Sequence, residues 1–320
     1  MGKSSTKCLI TGGAGFIGSH LCDSLIGRGY EVYCVDNLLT GSKKNISHLL
    51  DSPNFHFILH DITRPFAETV NLQLSTINYL YHLASPASPP KYRKYSIETL
   101  LVNSLGTFYM LELAKKAKAI FLFTSTSEVY GNPLQHPQKE TYFGNVNPTG
   151  LRACYDESKR FAEALTMEYI RKYNVDARIV RIFNTYGSRM DPHDGRVIVN
   201  FINQAISGRA LTVYGDGKQT RSFCYVSDMV VGIVAAMEKK DTKGLVVNLG
   251  YPEEHTIYEI AEIILKLTES SSKIEFKDRQ ADDPVKRKPD ISLAKKRLGW
   301  EPQVTLYDGL AKTIEYFKRS

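Results

Sequence analysis

The sequence predicts an α/β fold, a doubly wound parallel sheet followed by a smaller C-terminal lobe. Three observations carry this. Short apolar runs alternate with segments of helical apolar spacing through the first half of the chain. A glycine-rich turn joins the first such run to the first helical segment. Beyond Phe183 the alternation gives way to loops rich in Gly, Asn and Asp, such as 184–195 and 214–220.

Taken in order, Cys8–Thr11, Glu31–Val35, Phe55–Leu59, Tyr79–Leu83, Ile120–Phe123 and Ala177–Ile182 read as buried strands. Phe16–Gly27, Ile97–Lys116 and Tyr155–Lys172 carry helical spacing between them. Strand–helix alternation of this kind builds a parallel sheet covered on both faces. In the second half, helices are expected at Val197–Ser207, Ser227–Glu238, Ile257–Thr268, Ile291–Leu298 and Leu306–Lys318. This divides the chain into residues 1–183, the sheet domain, and 184–320, a lobe packed on the carboxyl ends of the strands. The two are expected to be intimately joined, with some segments crossing between them. No repeat, low-complexity tract or Pro-rich linker separates them.

Bulk properties exclude several functions. No run approaches the ~20 apolar residues of a membrane span, and Met1–Lys7 has no signal-peptide core, so a cytoplasmic protein is expected. Five cysteines, odd in number and without a CxxC pair, argue against a disulfide framework or a zinc site, and no metal is expected. The formal charge of +7 comes from scattered basic residues, densest at Lys286–Lys288. No nucleic-acid motif accompanies them, and a mild excess suits small phosphorylated ligands.

The turn Thr11-Gly12-Gly13-Ala14-Gly15-Phe16-Ile17-Gly18 follows the first strand and opens the first helix. Gly12 permits the tight turn, Gly15 lets the backbone approach a pyrophosphate, and Gly18 lets the helix pack on the strand. The helix N-terminus then offers unpaired N–H groups and a positive dipole to the phosphates. Asp36, ending the second strand, suits the adenosine ribose hydroxyls and repels a 2′-phosphate. NAD is therefore expected over NADP in a Rossmann-type site. Asn37 stands next to it, and Asp61-Ile62, ending the third strand, would flank the adenine.

Tyr155 and Lys159 are four residues apart on a helix and share a face. At ~4 Å and an effective dielectric of ~20, an ammonium favours a phenolate by ~4 kcal/mol, or ~3 pK units. That expectation makes Tyr155 a general base near neutral pH. A second Tyr-x-x-x-Lys, Tyr214–Lys218, spans Gly215-Asp216-Gly217 and should not stay helical. The run Thr124-Ser125-Thr126-Ser127-Glu128 follows a strand and points into the ligand crevice. Thr126 would hold the hydroxyl that Tyr155 deprotonates, and Glu128 would serve as a second acid/base. The same hydroxyls could instead cap the next segment.

Together the glycine turn, Thr126 and the Tyr155/Lys159 pair resemble the extended short-chain dehydrogenase/reductase family. Within it, the chain is similar to the UDP-glucuronic acid decarboxylases, also called UDP-xylose synthases. The resemblance rests on the segments 82–90, 125–131, 147–148, 152–157, 181–185, 194–196, 211–215, 219–221 and 287–290, and runs from Lys7 to about Phe317. It departs at Leu101-Val102-Asn103, where relatives often carry Lys-Thr-Asn.

The resemblance implies decarboxylation of UDP-glucuronate to UDP-xylose through a 4-keto sugar, with NAD⁺ reduced and regenerated. It adds Thr40, Gly41, Leu83, Ser85, Thr185 and Arg196 to the cofactor-facing residues. It assigns Pro86, Tyr92, Asn184, Tyr214, Arg221 and Arg287 to the substrate. Arg287 would meet the sugar-acid region and join Thr126, Glu128, Tyr155 and Lys159 as catalytic. Arg221 suits the diphosphate, because a guanidinium bridges oxygens bidentately. It also implies a homodimer, the helices near Ile97–Lys116 and Tyr155–Lys172 pairing across a two-fold axis. Alternatives are a 4,6-dehydratase, a 4-epimerase, an oxidative decarboxylase that releases the 4-keto pentose, or a non-catalytic dinucleotide-sensing scaffold. Ser127-Glu128 lacks the Asp-Glu pair expected of a dehydratase.

Overall fold

The computed structural model describes residues 5–278 and 286–319. Its first half runs β1 (Lys7–Thr11), α1 (Phe16–Gly27), β2 (Glu31–Asp36), β3 (Phe55–Leu59), α2 (Glu68–Leu74), β4 (Tyr79–His82), α3 (Pro89–Lys94), α4 (Ser96–Leu101), α5 (Thr107–Ala117), β5 (Ile120–Thr126), α6 (Ala153–Tyr173) and β6 (Ala177–Ile182). The second half runs β7 (Thr185–Tyr186), α7 (Val197–Ile206), β8 (Leu211–Tyr214), β9 (Thr220–Arg221), β10 (Cys224–Tyr225), α8 (Val226–Glu238), β11 (Val246–Leu249), β12 (His255–Thr256), α9 (Ile257–Thr268), β13 (Ile274–Lys277), β14 (Lys286–Arg287), α10 (Ser292–Leu298) and α11 (Leu306–Arg319).

Among the described residues the central sheet has seven strands in the order β11-β6-β5-β4-β1-β2-β3. Every neighbouring pair is parallel. Side chains of β1 alternate between two layers. Cys8 and Ile10 join a core containing α1 and α8, and Leu9 joins one containing α5 and α6. Strand order reverses between β1 and β4, so a crevice opens at the carboxyl ends of these strands.

Three elements depart from the sequence reading. The helix expected over Ile97–Lys116 is α4 and α5 joined by a π turn, Val102–Gly106, that carries the buried Asn103. The strand expected to end at Phe123 continues to Thr126, because Thr124–Thr126 extend the pairing with β6. Strand β11, at 246–249, crosses from the second half of the chain into the sheet beside β6, and α8 packs on β5 and β6. The second lobe therefore consists of α7, α9 and α11 with the short pairs β8–β13, β9–β12, β9–β14 and β7–β10.

Candidate active site

A cleft of about 1190 Å³ lies between sheet and lobe. Every residue that the sequence reading marks for cofactor or substrate lines it. They are Gly12, Gly15, Phe16, Ile17, Gly18, Asp36, Asn37, Thr40, Gly41, Asp61, Ile62, Leu83, Ser85, Pro86, Tyr92, Thr126, Glu128, Tyr155, Lys159, Asn184, Thr185, Arg196, Tyr214, Arg221 and Arg287.

The glycine turn is as tight as its chemistry requires. Gly12 has φ +73°, and a Cβ there would stand 2.8 Å from the Ala84 backbone. A Cβ on Gly18 would stand 2.1 Å from the Gly12 carbonyl oxygen. Helix α1 begins at Phe16 with no side-chain cap, so its first N–H groups face the cleft as a phosphate cradle. The buried Asp36 carboxylate accepts from the Ala14 N–H at 3.0 Å and the Leu38 N–H at 2.8 Å, at the rim where an adenosine ribose would lie. These residues fit a dinucleotide: a turn without side chains, an open helix end and an acceptor at the end of β2. Among the described residues no cluster of three or more His, Cys, Asp or Glu could hold a metal.

Tyr155 and Lys159 share one face of α6, and both are buried. The Tyr155 ring stacks on Tyr92 with centroids 5.1 Å apart and an interplanar angle of 5°. Thr126 stands close enough to the Tyr155 phenol to oppose the effect of burial on it. It also accepts the Glu128 N–H at 3.2 Å, so it caps the short 3₁₀ turn Ser127–Tyr130 as well as facing the site.

The expected acidification of Tyr155 by Lys159 is not what the geometry gives. The Lys159 ammonium donates to the Thr124 carbonyl at 2.9 Å and lies 5.9 Å from the Tyr155 ring centre. Burial pushes the phenol up, the effect of Thr126 opposing it, and burial draws Lys159 down to about 7. Desolvation of two groups sealed under the sheet outweighs their mutual attraction.

Glu128 also differs from expectation. Its carboxylate is clamped by Arg152 and Arg287. Burial raises its pKa, but the two guanidiniums, Arg287 foremost, hold it well below the usual carboxylate range. It is a fixed anion here, not a ready proton donor. Arg287 gives a second N–H to the Gly131 carbonyl at 2.8 Å, while its Nε is buried without a partner among the described residues. Strands β9 and β14 pair Arg287 with Arg221, placing two arginines side by side at one wall. Tyr214 ends β8, and Gly215 and Gly217, at φ +72° and +74°, turn the chain before Lys218. That second tyrosine–lysine pair shares no helix.

Sequence reasoning missed two charged residues of α6 and its cap. Arg152 lines the cleft and holds Glu128. Asp156 is buried behind Tyr155, and burial, with Glu128 adding to it, pushes it up to about 7. Both stand in the run Arg152-Ala153-Cys154-Tyr155-Asp156, where they read as ordinary surface charge of a helix start.

Comparison with known proteins is decisive on lineage. The profile described as GDP-mannose 4,6 dehydratase matches residues 9–313. The chain is 53% identical over 318 residues to UDP-glucuronic acid decarboxylase 1 of Arabidopsis thaliana, covering 99% of this chain and 71% of that protein. It is 53% identical over 317 residues to UDP-glucuronic acid decarboxylase 1 of Danio rerio, covering 99% and 74%.

The chain belongs to the family of UDP-glucuronic acid decarboxylases.

Among solved structures, UDP-glucuronic acid 4-epimerase from Bacillus cereus, in complex with UDP-glucuronic acid and NAD, superposes with a TM-score of 0.89. It is 32% identical and covers 98% of this chain and 99% of that one. This chain and this epimerase therefore share one scaffold.

Proposed function

We propose that the protein converts UDP-glucuronate to UDP-xylose and carbon dioxide with NAD⁺ as a recycled cofactor. The observation that carries this is the convergence of Arg152 and Arg287 on Glu128, in the same cleft as Thr126, Tyr155 and Lys159. A phenol–hydroxyl pair handles the O4 proton, and a cationic wall receives a sugar carboxylate.

Gly12, Gly15 and Gly18, with the open end of α1, hold the pyrophosphate. Asp36 takes the adenosine ribose, with Asn37, Asp61 and Ile62 beside the adenine. Bound NAD⁺ supplies an acceptor and then a donor for the C4 hydride, and a positive charge beside the phenol. Tyr155 removes the O4 proton and later returns it. Thr126 orients O4. Oxidation at C4 makes the sugar a β-keto acid, and loss of carbon dioxide sends the electron pair toward the C4 oxygen. There the O–H groups of Tyr155 and Thr126 stabilise the enolate oxygen. A proton taken up at C5 from water entering the cleft, with the hydride returned to C4 and the O4 proton returned by Tyr155, completes UDP-xylose. Arg287, steadied by Glu128, aligns the carboxylate, and Arg221 neutralises the diphosphate.

An epimerase would need the sugar to turn over within the cleft and would release no carbon dioxide. The 53% identity to UDP-glucuronic acid decarboxylases, against 32% to the UDP-glucuronic acid 4-epimerase, favours the decarboxylase reading. Tyr155→Phe should lower kcat by about 10²–10⁴-fold. Unchanged turnover of UDP-glucuronate by that variant would overturn the assignment.

We also infer a homodimer. Ile97, Leu101, Leu105 and Phe108 present an apolar stripe along α4, the π turn and α5, and Phe161 extends it on α6, with exposures of 37–63%. A second copy packing the same helices two-fold would cover it. A reducing, cytoplasmic location is in keeping with five unpaired cysteines. Among the described residues no helix is long and apolar enough to cross a membrane.

A further inference from the structure

A buried polar chain runs from the glycine turn to the catalytic helix, and around His82 its hydrogens can be placed one by one. At the carboxyl end of β4, His82 lies wholly inside the protein between Phe121 and Phe123. Its Nδ1 stands 2.7 Å from the Thr11 hydroxyl and its Nε2 3.0 Å from the Thr107 hydroxyl. Thr107 donates its one hydroxyl hydrogen to the Asn103 carbonyl at 2.8 Å, an atom that can only accept. Thr107 must therefore accept from His82, so the ring carries its hydrogen on Nε2. A neutral ring then has a bare Nδ1, which accepts the Thr11 hydroxyl hydrogen. That leaves the Thr11 oxygen free to accept the Ala84 N–H at 3.3 Å.

Each end of the chain reaches a working segment. At one end, Ala84 is the residue against which the Gly12 turn is packed. At the other, Thr107 fixes the π turn carrying Asn103. The Asn103 amide shares its two hydrogens among Ser85 and Ser158, both at 3.0 Å, and the Thr99 carbonyl at 3.1 Å. Ser158 in turn donates to the Cys154 and Tyr155 carbonyls, at 2.6 and 3.1 Å, inside the helical turn that carries Tyr155 and Lys159. A π turn inside a helix commonly marks a functional position. Here it is what lowers the Asn103 amide between loop and helix.

We propose that His82, as its Nε2-protonated tautomer, is a positioning residue that sets the cofactor loop and the Tyr155/Lys159 turn in one register. From Thr11 through His82 to the Asn103 carbonyl the hydrogens have a single arrangement, so the loop cannot shift without breaking a bond to the π turn that carries Asn103. A protonated ring would make the Thr11 hydroxyl turn its hydrogen away from Nδ1 and accept instead, and burial holds the imidazole neutral, down to about 3. This inference rests on reading Tyr155 and Lys159 as the catalytic pair.

Two measurements test it. In full-length protein labelled with ¹⁵N-histidine, one ring should show the Nε2-protonated tautomer, without titrating through the range of free imidazole. A titrating ring or the Nδ1-protonated form at His82 overturns the hydrogen assignment, whatever reaction the enzyme performs. The second measurement compares His82→Phe, Ser158→Ala and the double variant, each with UDP-glucuronate and NAD⁺. Each single change should lower kcat by about tenfold, with KM for UDP-glucuronate within about twofold. The double variant should lose little more than either alone, because both break one chain. Losses that multiply, to about a hundredfold, mean that His82 merely fills space and overturn the proposal. If His82→Phe does not fold, the resonance of the unaltered protein still decides.

Discussion

At the scale of single residues, the site is governed by what burial does to charge. Lys159 is sealed beneath the sheet, and burial lowers its pKa to about 7, with Glu163 opposing. In the unfolded chain a lysine keeps its proton to ~10.4. Between these values the unfolded state binds more protons, so stability rises with pH across that window. Lys159→Met should abolish that upward slope in urea midpoints measured through the same window; an unchanged slope would contradict the burial of the charge. Glu128 is the opposite case, a carboxylate kept ionised by Arg152 and Arg287. Glu128→Gln leaves the buried Arg287 guanidinium short of an anion and weakens the hold on the half-buried Arg152, and should cost about 3 kcal/mol in denaturant unfolding. A loss within experimental error would mean that the pair is held by other partners.

At the scale of elements, the glycine turn between β1 and α1 is fixed by contact distance. Gly18→Ala puts a methyl group 2.1 Å from the Gly12 carbonyl oxygen, so turn or helix must move. NAD affinity, followed by nicotinamide fluorescence, should fall by about tenfold or more, with ~1–3 kcal/mol of stability. Undiminished affinity would show that α1 need not approach the turn so closely. This element was legible in the sequence, because strand, glycines, helix and acidic strand end occur in obligatory order. The π turn was not. Val102–Gly106 has the apolar spacing of an unbroken helix, and only the tertiary bonds of Asn103 to Ser158 and of Thr107 to His82 mark the turn as special. Strand β11 was equally hidden, since Val246–Leu249 is too short to stand out until it pairs with β6.

At the scale of the whole molecule, the sheet supplies the cofactor half of the cleft and the lobe closes it with Arg221 and Arg287. Both arginines reach the site only because β9 and β14 pair, although 66 positions separate Arg221 from Arg287 in the chain. Their places at the substrate were therefore read from resemblance, and spacing alone left Arg287 in a basic surface run. Arg152 and Asp156 escaped for a related reason: nothing local distinguishes a charge that turns inward from one that faces water. The apolar stripe on α4, α5 and α6 predicts the assembly. Phe108→Glu with Phe161→Glu should convert a dimer to a monomer in light scattering, and a monomer before substitution would contradict the two-fold contact.

The account stands or falls on the net reaction. UDP-glucuronate incubated with the protein and NAD⁺ should yield UDP-xylose by mass, with one carbon dioxide for each sugar and no lasting rise in NADH absorbance. Accumulating NADH with a 4-keto pentose, or a C4 epimer that keeps its carboxylate, would contradict it.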